Sequence, residues 1–315
     1  MRFALDFSFI AKNLGSVYIA QKARKIHRFF LKIFCFFYIS HDMQNTQKPR
    51  VLITNDDGIR SGYMLALAGA LAPIADVCVF APEEEQSGVS HAFTVRRALS
   101  VKKVKMEEPG EAIEAYSMSG TPADCVKFAL GHFAAHGLST EGAGPGAFDV
   151  CFSGVNLGEN SGVSSLYSGT VAGAREAALW GVPGIALSLR GTTPNMLEFA
   201  KVFAVRVVQG RLFERIPAGV FWNVNFPKAT AETFKGFRAT RMALGMFTDH
   251  YSHEGGLWQL DGDKLWNEQP VDSDDYLLEQ GYATVTPQRI DQTDEKSLEV
   301  INGMLAGNGQ PLTRG

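Results

Sequence analysis

"RVLITNDDGI", residues 50–59, is a short apolar run that leads directly into an asparagine, two adjacent aspartates and a glycine. Its aliphatic and β-branched residues predict a buried β-strand that ends where the polar residues begin. Asp56 and Asp57, called the aspartate pair below, repel each other, and no Lys or Arg stands between them and Arg60 to relieve the repulsion. The sequence thus raises the question of what offsets two negative charges at the end of a buried strand.

This strand is the first of a series in which strands alternate with helices. Apolar segments predict strands at residues 50–54, 76–82, 148–156 and 184–189. Helical periodicity falls between them, at residues 63–74, 122–136 and 170–181. Strands that alternate with helices form a parallel sheet covered on both faces, so we expect an α/β fold with a doubly wound, mostly parallel sheet.

The last third of the chain has a different pattern. After a helix predicted at residues 197–213 and a strand at 221–227, short strand-like segments follow at residues 234–244, 256–262 and 281–290, and a helix at 297–305 closes the chain. We expect one domain over residues 50–315. Its β-rich C-terminal arm, from about residue 235 to residue 315, is expected to contact a neighbouring subunit.

Residues 1–49 differ from the rest, because residues 23–41 are basic, aromatic and apolar at once. Lys32 interrupts an apolar run that is too short to span a bilayer. One interpretation is a basic amphipathic helix at a membrane surface. We favour the interpretation that residues 1–49 are an N-terminal extension outside the folded domain. In this interpretation the extension is either disordered or, with synthesis starting at Met43, largely untranslated.

Composition excludes several classes of function. The net charge of −3 gives no reason to expect a nucleic acid duplex as partner, and 45% hydrophobic residues are typical of a globular protein. The 4 cysteines are far apart and form no C-x-x-C pair, which argues against a zinc site or a disulfide scaffold. We therefore expect a cytoplasmic protein with a small-molecule substrate and no membrane partner.

Hard oxygen atoms cluster where the predicted strands end. The aspartate pair follows the first strand, Ser87 follows the second, and Ser153 and Asn156 end the strand at residues 148–156. In a parallel sheet these ends meet at one edge, where ligands bind. Carboxylate, hydroxyl and amide oxygens favour Mg²⁺, Mn²⁺ or Ca²⁺. The alternative is an Asx turn with two solvated aspartates.

A second group lies at the predicted start of the helix at residues 170–181, where "YSGT" places Ser168, Gly169 and Thr170. Free N–H groups and the helix dipole make such a start an anion site, although an ordinary Ser or Thr N-cap is the simpler interpretation. A cation and a helix start in one cleft are what a phosphate monoester needs.

Seven segments, in order and spacing, resemble the motifs of the SurE (survival protein E) family of 5′-nucleotidases and acid phosphatases. They are "RVLITNDDGI", "APEEEQSG", "SGTPADCVKFAL", "DVCFSGVNLGEN", "YSGTVAGAREAALWGVPGIALSL", "WNVNFP" and "GYATVTP". The resemblance covers residues 50 to about 291. It implies a Rossmann-like core and a homodimer or homotetramer built through the C-terminal arm.

The resemblance also implies the chemistry. Asp56, Asp57, Ser87 and Asn156 match the family's ligands for one divalent cation, with Mg²⁺ or Mn²⁺ expected, and the aspartate pair is expected to be catalytic. Ser168, Gly169 and Thr170 match its phosphate-binding segment. The implied reaction is hydrolysis of nucleoside 5′-monophosphates, and of 3′-monophosphates as a further expectation.

Departures from the family pattern affect the mouth of the cleft. Arg60 replaces the family's histidine, and Glu83, Glu84 and Glu85 stand where the family usually has basic residues. Acidic residues there would disfavour polyanionic substrates.

Two rival functions remain open. A haloacid-dehalogenase type of phosphatase would use an aspartate nucleophile, but its signature is D-x-D rather than adjacent aspartates. The other alternative is a nucleotide-binding oligomeric module without turnover.

Overall fold

The computed structural model of the chain describes residues 48–106, 113–140, 142–245, 247–265 and 269–306. The strands in chain order are β1 Arg50–Thr54, β2 Asp76–Pro82, β3 Val101–Val104, β4 Glu114–Met118, β5 Val150–Leu157, β6 Gly184–Leu189, β7 Val220–Phe226, β8 Phe237–Ala239, β9 His250–Glu254, β10 Leu257–Asp261 and β11 Ala283–Arg289. The helices are α1 Gly62–Leu71, α2 Pro122–Phe128, α3 Ser164–Tyr167, α4 Gly169–Leu179, α5 Pro194–Gln209, α6 Asp274–Glu279 and α7 Glu295–Ala306. Helix α2 continues as a π-helical turn, Ala129–Phe133, and a short helix, Ala134–His136.

The main sheet has the strand order β3-β4-β2-β1-β5-β6-β7-β11-β8. From β4 to β7 every neighbouring pair is parallel, whereas β3 and β11 run antiparallel to β4 and β7 at the two ends of that block. This architecture confirms the predicted α/β fold with a mostly parallel sheet.

Strand β1 shows why both faces of the sheet are covered. Val51 and Ile53 belong to a buried apolar cluster that includes α1 and α5, while Leu52 belongs to a second cluster with residues of α2 and α4. Successive side chains of a strand point to opposite faces, so an uninterrupted apolar strand has to be sandwiched between two helical layers. The doubly wound arrangement follows from that requirement.

Strands β3 and β4 were not predicted from the sequence. The β4 sequence EAYSM contains good helix formers, and its strand conformation comes from pairing with β2 on one side and β3 on the other. Strand β3, VKKV, is an edge strand with two exposed lysines. In both segments tertiary pairing overrides the local preference.

The helix predicted at residues 197–213 ends earlier in the structure. Helix α5 stops at Gln209, and Arg211 adopts a left-handed backbone conformation with φ 45° before a 3₁₀ turn at Leu212–Arg215. An α-helix cannot continue through that conformation, so the apolar residues that follow pack from a separate turn.

The C-terminal segment divides into two parts. Strands β8 and β11 extend the main sheet beyond β7, whereas β9 and β10 form a separate two-stranded antiparallel sheet whose residues are all exposed. The predicted helix near the C-terminus is present as α7. Residues 307–315 of the predicted arm lie outside the described residues.

The predicted N-terminal extension lies almost wholly outside the described residues, which begin at residue 48. Within the part of the chain that the structure describes, no helix has the length and apolar character needed to cross a membrane.

Candidate metal and phosphate site

The candidate site lies at the ends of the neighbouring strands β1 and β5, where the strand order of the sheet changes direction. Strand β1 pairs with β2 on one side, Ile53 opposite Val79, and with β5 on the other, Thr54 opposite Ser153. Chain connections leave β1 and β5 toward opposite ends of the sheet, which opens a crevice beyond their carboxyl ends. The loops after β1, β2 and β5 therefore meet at one edge of the sheet.

Asn55 shapes the turn that follows β1. Its side-chain oxygen accepts a hydrogen bond from the Gly58 N–H at 3.2 Å, and its amide nitrogen donates to the Gly58 carbonyl at 3.0 Å. Gly58 has φ +95°, a conformation that a side chain would strain. An Asx-type turn is thus present, yet Asp56 within it is only 6% exposed, which excludes two solvated aspartates.

Asp56 binds the first turn of α4. The Thr170 hydroxyl donates to Asp56 Oδ1, and the Thr170 N–H donates to Asp56 Oδ2 at 3.1 Å. Gly169 permits this approach, since a Cβ atom there would lie 3.0 Å from Asp56 Cβ and 3.1 Å from Oδ2. Asp56 is therefore held in one orientation at the positive end of the helix dipole.

Asp57 is half-buried beside Asp56. Burial raises its pKa to about 6, with smaller contributions from the charges of Asp56 and Glu85. Burial also raises the pKa of Asp56, although its hydrogen bonds with Thr170 oppose that change. Both raised pKa values express mainly the cost of keeping a carboxylate ionised away from water, and a bound cation would offset that cost.

The loop after β2 is bound to this turn. The Gln86 N–H donates to the Asp56 carbonyl at 2.7 Å, and the Ile59 N–H donates to the Pro82 carbonyl at 2.8 Å. Ser87, the next residue, is exposed, and its hydroxyl donates to Glu85 Oε1 at 2.5 Å. The predicted ligand Ser87 thus lies one residue from a direct contact with the aspartate turn.

Asn156 stands at the end of β5, three positions beyond Ser153, which pairs with Thr54. Its amide nitrogen donates to the Gly158 carbonyl at 2.8 Å. That bond fixes the carboxamide, and the oxygen is the Asn156 atom that can bind a cation. The side chain is partly buried.

The start of α4 differs from the prediction in one respect. Ser168 is the N-cap, and its hydroxyl accepts a hydrogen bond from the Val171 N–H at 3.1 Å. Both Thr170 donors bind Asp56, so Thr170 orients a carboxylate in this structure. The simple N-cap interpretation is correct for Ser168, while Gly169 provides the close approach to Asp56.

The donor set fits a hard divalent cation. Within the described ranges, no group of three or more His, Cys, Asp or Glu side chains is placed to hold a metal ion. The predicted set of two carboxylates, one hydroxyl and one amide oxygen contains only two such residues, and all its donors are oxygen. A Mg²⁺- or Mn²⁺-sized charge would offset the repulsion between buried Asp56 and half-buried Asp57.

Several residues around the site were not predicted from the sequence. His91 Nε2 lies 2.8 Å from Glu176 Oε2, and Thr94 donates to Asp124 through its N–H at 2.7 Å and its hydroxyl at 2.8 Å. These two contacts attach the segment after Ser87 to the helices α4 and α2. They join residues far apart in sequence, and no local pattern could have revealed them.

A second polar network holds the loop between Asn156 and Ser168. Lys264 Nζ lies 2.7 Å from Asp275 Oδ1, and both side chains are buried. The Ser161 hydroxyl donates to the same Asp275 oxygen at 2.6 Å. The base of the β9–β10 hairpin is thereby attached to the loop that connects the two halves of the site.

Comparison with known proteins identifies the family. The family model described as "Survival protein SurE" matches residues 51–249. The chain belongs to the SurE family. The matched range includes the residues that the sequence predicts to bind the cation and the phosphate.

Curated SurE relatives match along most of their own length. "5′-nucleotidase SurE" of Flavobacterium johnsoniae is 34% identical over 262 residues, which cover 81% of this chain and 96% of the relative. The protein of the same name from Brevibacillus brevis is 37% identical over 267 residues, 80% of this chain and 95% of the relative. The crystal structure of the Sure protein from Aquifex aeolicus has a TM-score of 0.67 and 29% identity, and covers 82% of this chain and 100% of that one.

Proposed function

We propose that this chain is a metal-dependent 5′-nucleotidase that hydrolyses nucleoside 5′-monophosphates to nucleoside and phosphate, and 3′-monophosphates as a secondary activity. The observation that carries the proposal is the aspartate pair at the end of β1, with Asp56 bound to the first turn of α4. The name 5′-nucleotidase SurE, which the curated relatives share, supports the same activity.

Asp56, Asp57, Ser87 and Asn156 are the residues that would hold one divalent cation, Mg²⁺ or Mn²⁺. When bound, the cation would polarise the phosphoryl oxygens and offset the charge of the aspartate pair. Its ligands come from the loops after β1 and β2 and from the end of β5, so the fold itself brings them to one edge.

The two aspartates have different surroundings, which suggests different roles. Both oxygens of Asp56 accept hydrogen bonds from Thr170, so Asp56 is a fixed ligand. Asp57 is half-buried, and among the described residues no hydrogen bond to its carboxylate is found. We assign Asp57 as the group that accepts a proton from the attacking water, because its carboxylate is not held by the hydrogen bonds that fix Asp56.

The start of α4 would bind the phosphate. Gly169 brings the helix N-terminus against Asp56, where its N–H groups and dipole favour an anion. The Ser168 and Thr170 hydroxyls lie in the same turn. As negative charge builds on the equatorial oxygens during in-line attack, the Ser168 hydroxyl and the Gly169 N–H would stabilise it from this turn, while Thr170 holds Asp56 beside them.

The test is phosphate release from nucleoside 5′- and 3′-monophosphates with Mg²⁺, with Mn²⁺ and with EDTA. We expect turnover with a cation and none in excess EDTA. A substrate that is chiral at phosphorus should react with inversion, because water attacks directly. Net retention would indicate a phospho-enzyme, and binding without phosphate release would indicate a nucleotide-binding module.

We also propose that the enzyme is cytoplasmic and forms a homodimer or homotetramer. The C-terminal arm, from about residue 235 to residue 315, is the proposed contact between subunits. Large apolar side chains are exposed on the β9–β10 hairpin and on α7: Tyr251, Leu257, Trp258, Leu260, Val300, Ile301, Met304 and Leu305. Apolar area of this kind marks interaction surfaces. Light scattering should give a multiple of the chain mass, and Trp258→Glu should lower that mass.

A further inference from the structure

Three consecutive glutamates follow β2, and the structure gives two of them different partners. Glu83 forms an ion pair with Lys102, with Oε1 3.0 Å from Nζ, and its N–H donates to the Met118 carbonyl at 2.8 Å. Glu85 instead accepts the Ser87 hydroxyl at 2.5 Å. One glutamate is therefore neutralised at the edge strand β3, while another is bound to a predicted cation ligand.

The position of Glu85 brings its charge to the aspartate pair. Gln86, its neighbour, donates its N–H to the Asp56 carbonyl at 2.7 Å, so the backbone of this loop touches the aspartate turn. The Glu85 charge is also among the causes that raise the pKa of Asp56 and of Asp57. The hydrogen bond with Ser87 and the backbone bond of Gln86 thus place the Glu85 charge near the aspartate pair.

We propose that Glu85 is a specificity-determining residue, whose negative charge selects substrates with a single phosphate group against substrates with longer phosphate chains. The inference rests on the proposed function. Asp56, Asp57 and Glu85 together carry three negative charges, and a divalent cation compensates two of them.

The remaining negative charge acts differently on the two substrate classes. A phosphate monoester carries roughly two negative charges at neutral pH and can neutralise part of them at the cation and the α4 N-terminus. Each further phosphate adds about one charge that has no assigned partner in the site. Repulsion between Glu85 and that added charge scales with the number of charges and is screened by salt.

Ser87 keeps Glu85 at the mouth of the site. Because its hydroxyl donates to Glu85 Oε1, the lone pairs of Ser87 Oγ are directed elsewhere and stay available to a cation. Glu85→Gln retains an oxygen that accepts this hydrogen bond and removes only the charge. Glu83→Gln removes a charge from the same loop at a residue paired with Lys102, and it is the matched control.

The experiment measures inhibition of nucleoside 5′-monophosphate hydrolysis by tripolyphosphate and by orthophosphate, with the free Mn²⁺ concentration held constant. For Glu85→Gln we expect the inhibition constant of tripolyphosphate to fall by about 3- to 10-fold relative to that of orthophosphate. The change should shrink as NaCl is raised from about 20 to 300 mM. Glu83→Gln should change the ratio by less than about 2-fold.

The outcomes separate the inference from the function on which it rests. An unchanged ratio in Glu85→Gln, an equal change in Glu83→Gln, or failure of tripolyphosphate to inhibit the variant would overturn the role of Glu85 while leaving the nucleotidase intact. A wild-type protein that hydrolyses no monophosphate with any cation would overturn the proposed function, and the inference with it. Circular dichroism of each variant checks that the fold is unchanged.

Discussion

Asp57→Asn should stabilise the metal-free protein. Burial and the neighbouring carboxylates raise the Asp57 pKa from 3.8 to about 6, so its ionised form is disfavoured in the folded state. A difference of roughly 2 in pKa, at about 1.4 kcal/mol for each unit, gives an upper bound of about 3 kcal/mol at pH 8, and solvent screening of this half-buried side chain lowers it. Asparagine keeps part of the burial cost, so we expect a gain of about 1–3 kcal/mol.

The sign of the pH dependence follows from the same pKa. Because the folded pKa of Asp57 lies above the unfolded value, the folded state binds more protons between pH 3.8 and about 6. Wild-type stability therefore falls as pH rises through that window and levels off above it. The advantage of Asp57→Asn should grow over the same window and become small near pH 4.

Urea unfolding in EDTA at several pH values and one protein concentration measures this difference. Asp76→Asn, at the exposed first residue of β2, is the control and should change stability little at any pH. Adding Mn²⁺ should reverse the order, because a cation stabilises only a folded state that binds it. A metal-free Asp57→Asn protein that is less stable than wild type at pH 8, or equally stabilised at pH 4 and pH 8, would show that the ionised Asp57 carboxylate does not destabilise the fold.

Three further predictions concern contacts of the site and its support. Thr170→Val removes the hydroxyl donor to Asp56 and should weaken cation binding and lower kcat/KM by about 10-fold, whereas Thr170→Ser should retain both. Lys264→Met leaves the buried Asp275 carboxylate without its charge partner, so urea denaturation should show a loss of about 3–5 kcal/mol; a loss below about 1 kcal/mol would contradict this. The Mn²⁺ affinity measured by calorimetry should decrease as pH is lowered through about 6, since protons compete for Asp57. A Mn²⁺ affinity that does not change between pH 5 and pH 8 would contradict Asp57 as a ligand.

Local features of the site could be predicted from the sequence. The apolar run of β1 followed by Asn55 and Gly58 determines both a strand and the turn that ends it. The N-cap at Ser168 is equally local, because its hydroxyl binds the N–H of a residue three positions later. The family resemblance, which rests on several such segments in order, is confirmed by the family model.

Contacts across the fold could not be predicted in the same way. The bonds between Asp56 and Thr170 join residues 114 positions apart, and they make Thr170, an expected phosphate ligand, a partner of the aspartate as well. The sequence "EEE" shows no difference among its glutamates, yet pairing with Lys102 separates Glu83 from Glu85. Strand β4 likewise depends on neighbours that only the folded sheet provides.

In the proposed enzyme, the aspartate pair holds one divalent cation on which turnover depends. The decisive experiment measures two quantities on the same samples of wild type, Asp57→Asn and Asp76→Asn. Equilibrium dialysis gives the bound Mn²⁺, and phosphate release from a nucleoside 5′-monophosphate gives the turnover. For wild type and Asp76→Asn we predict about one bound cation per chain and a turnover proportional to cation occupancy. In Asp57→Asn, bound cation and turnover should fall together, and the rate should be lower by about 10²-fold or more. Undiminished turnover by Asp57→Asn, or by wild type with no bound cation in excess EDTA, would contradict this dependence of turnover on the cation.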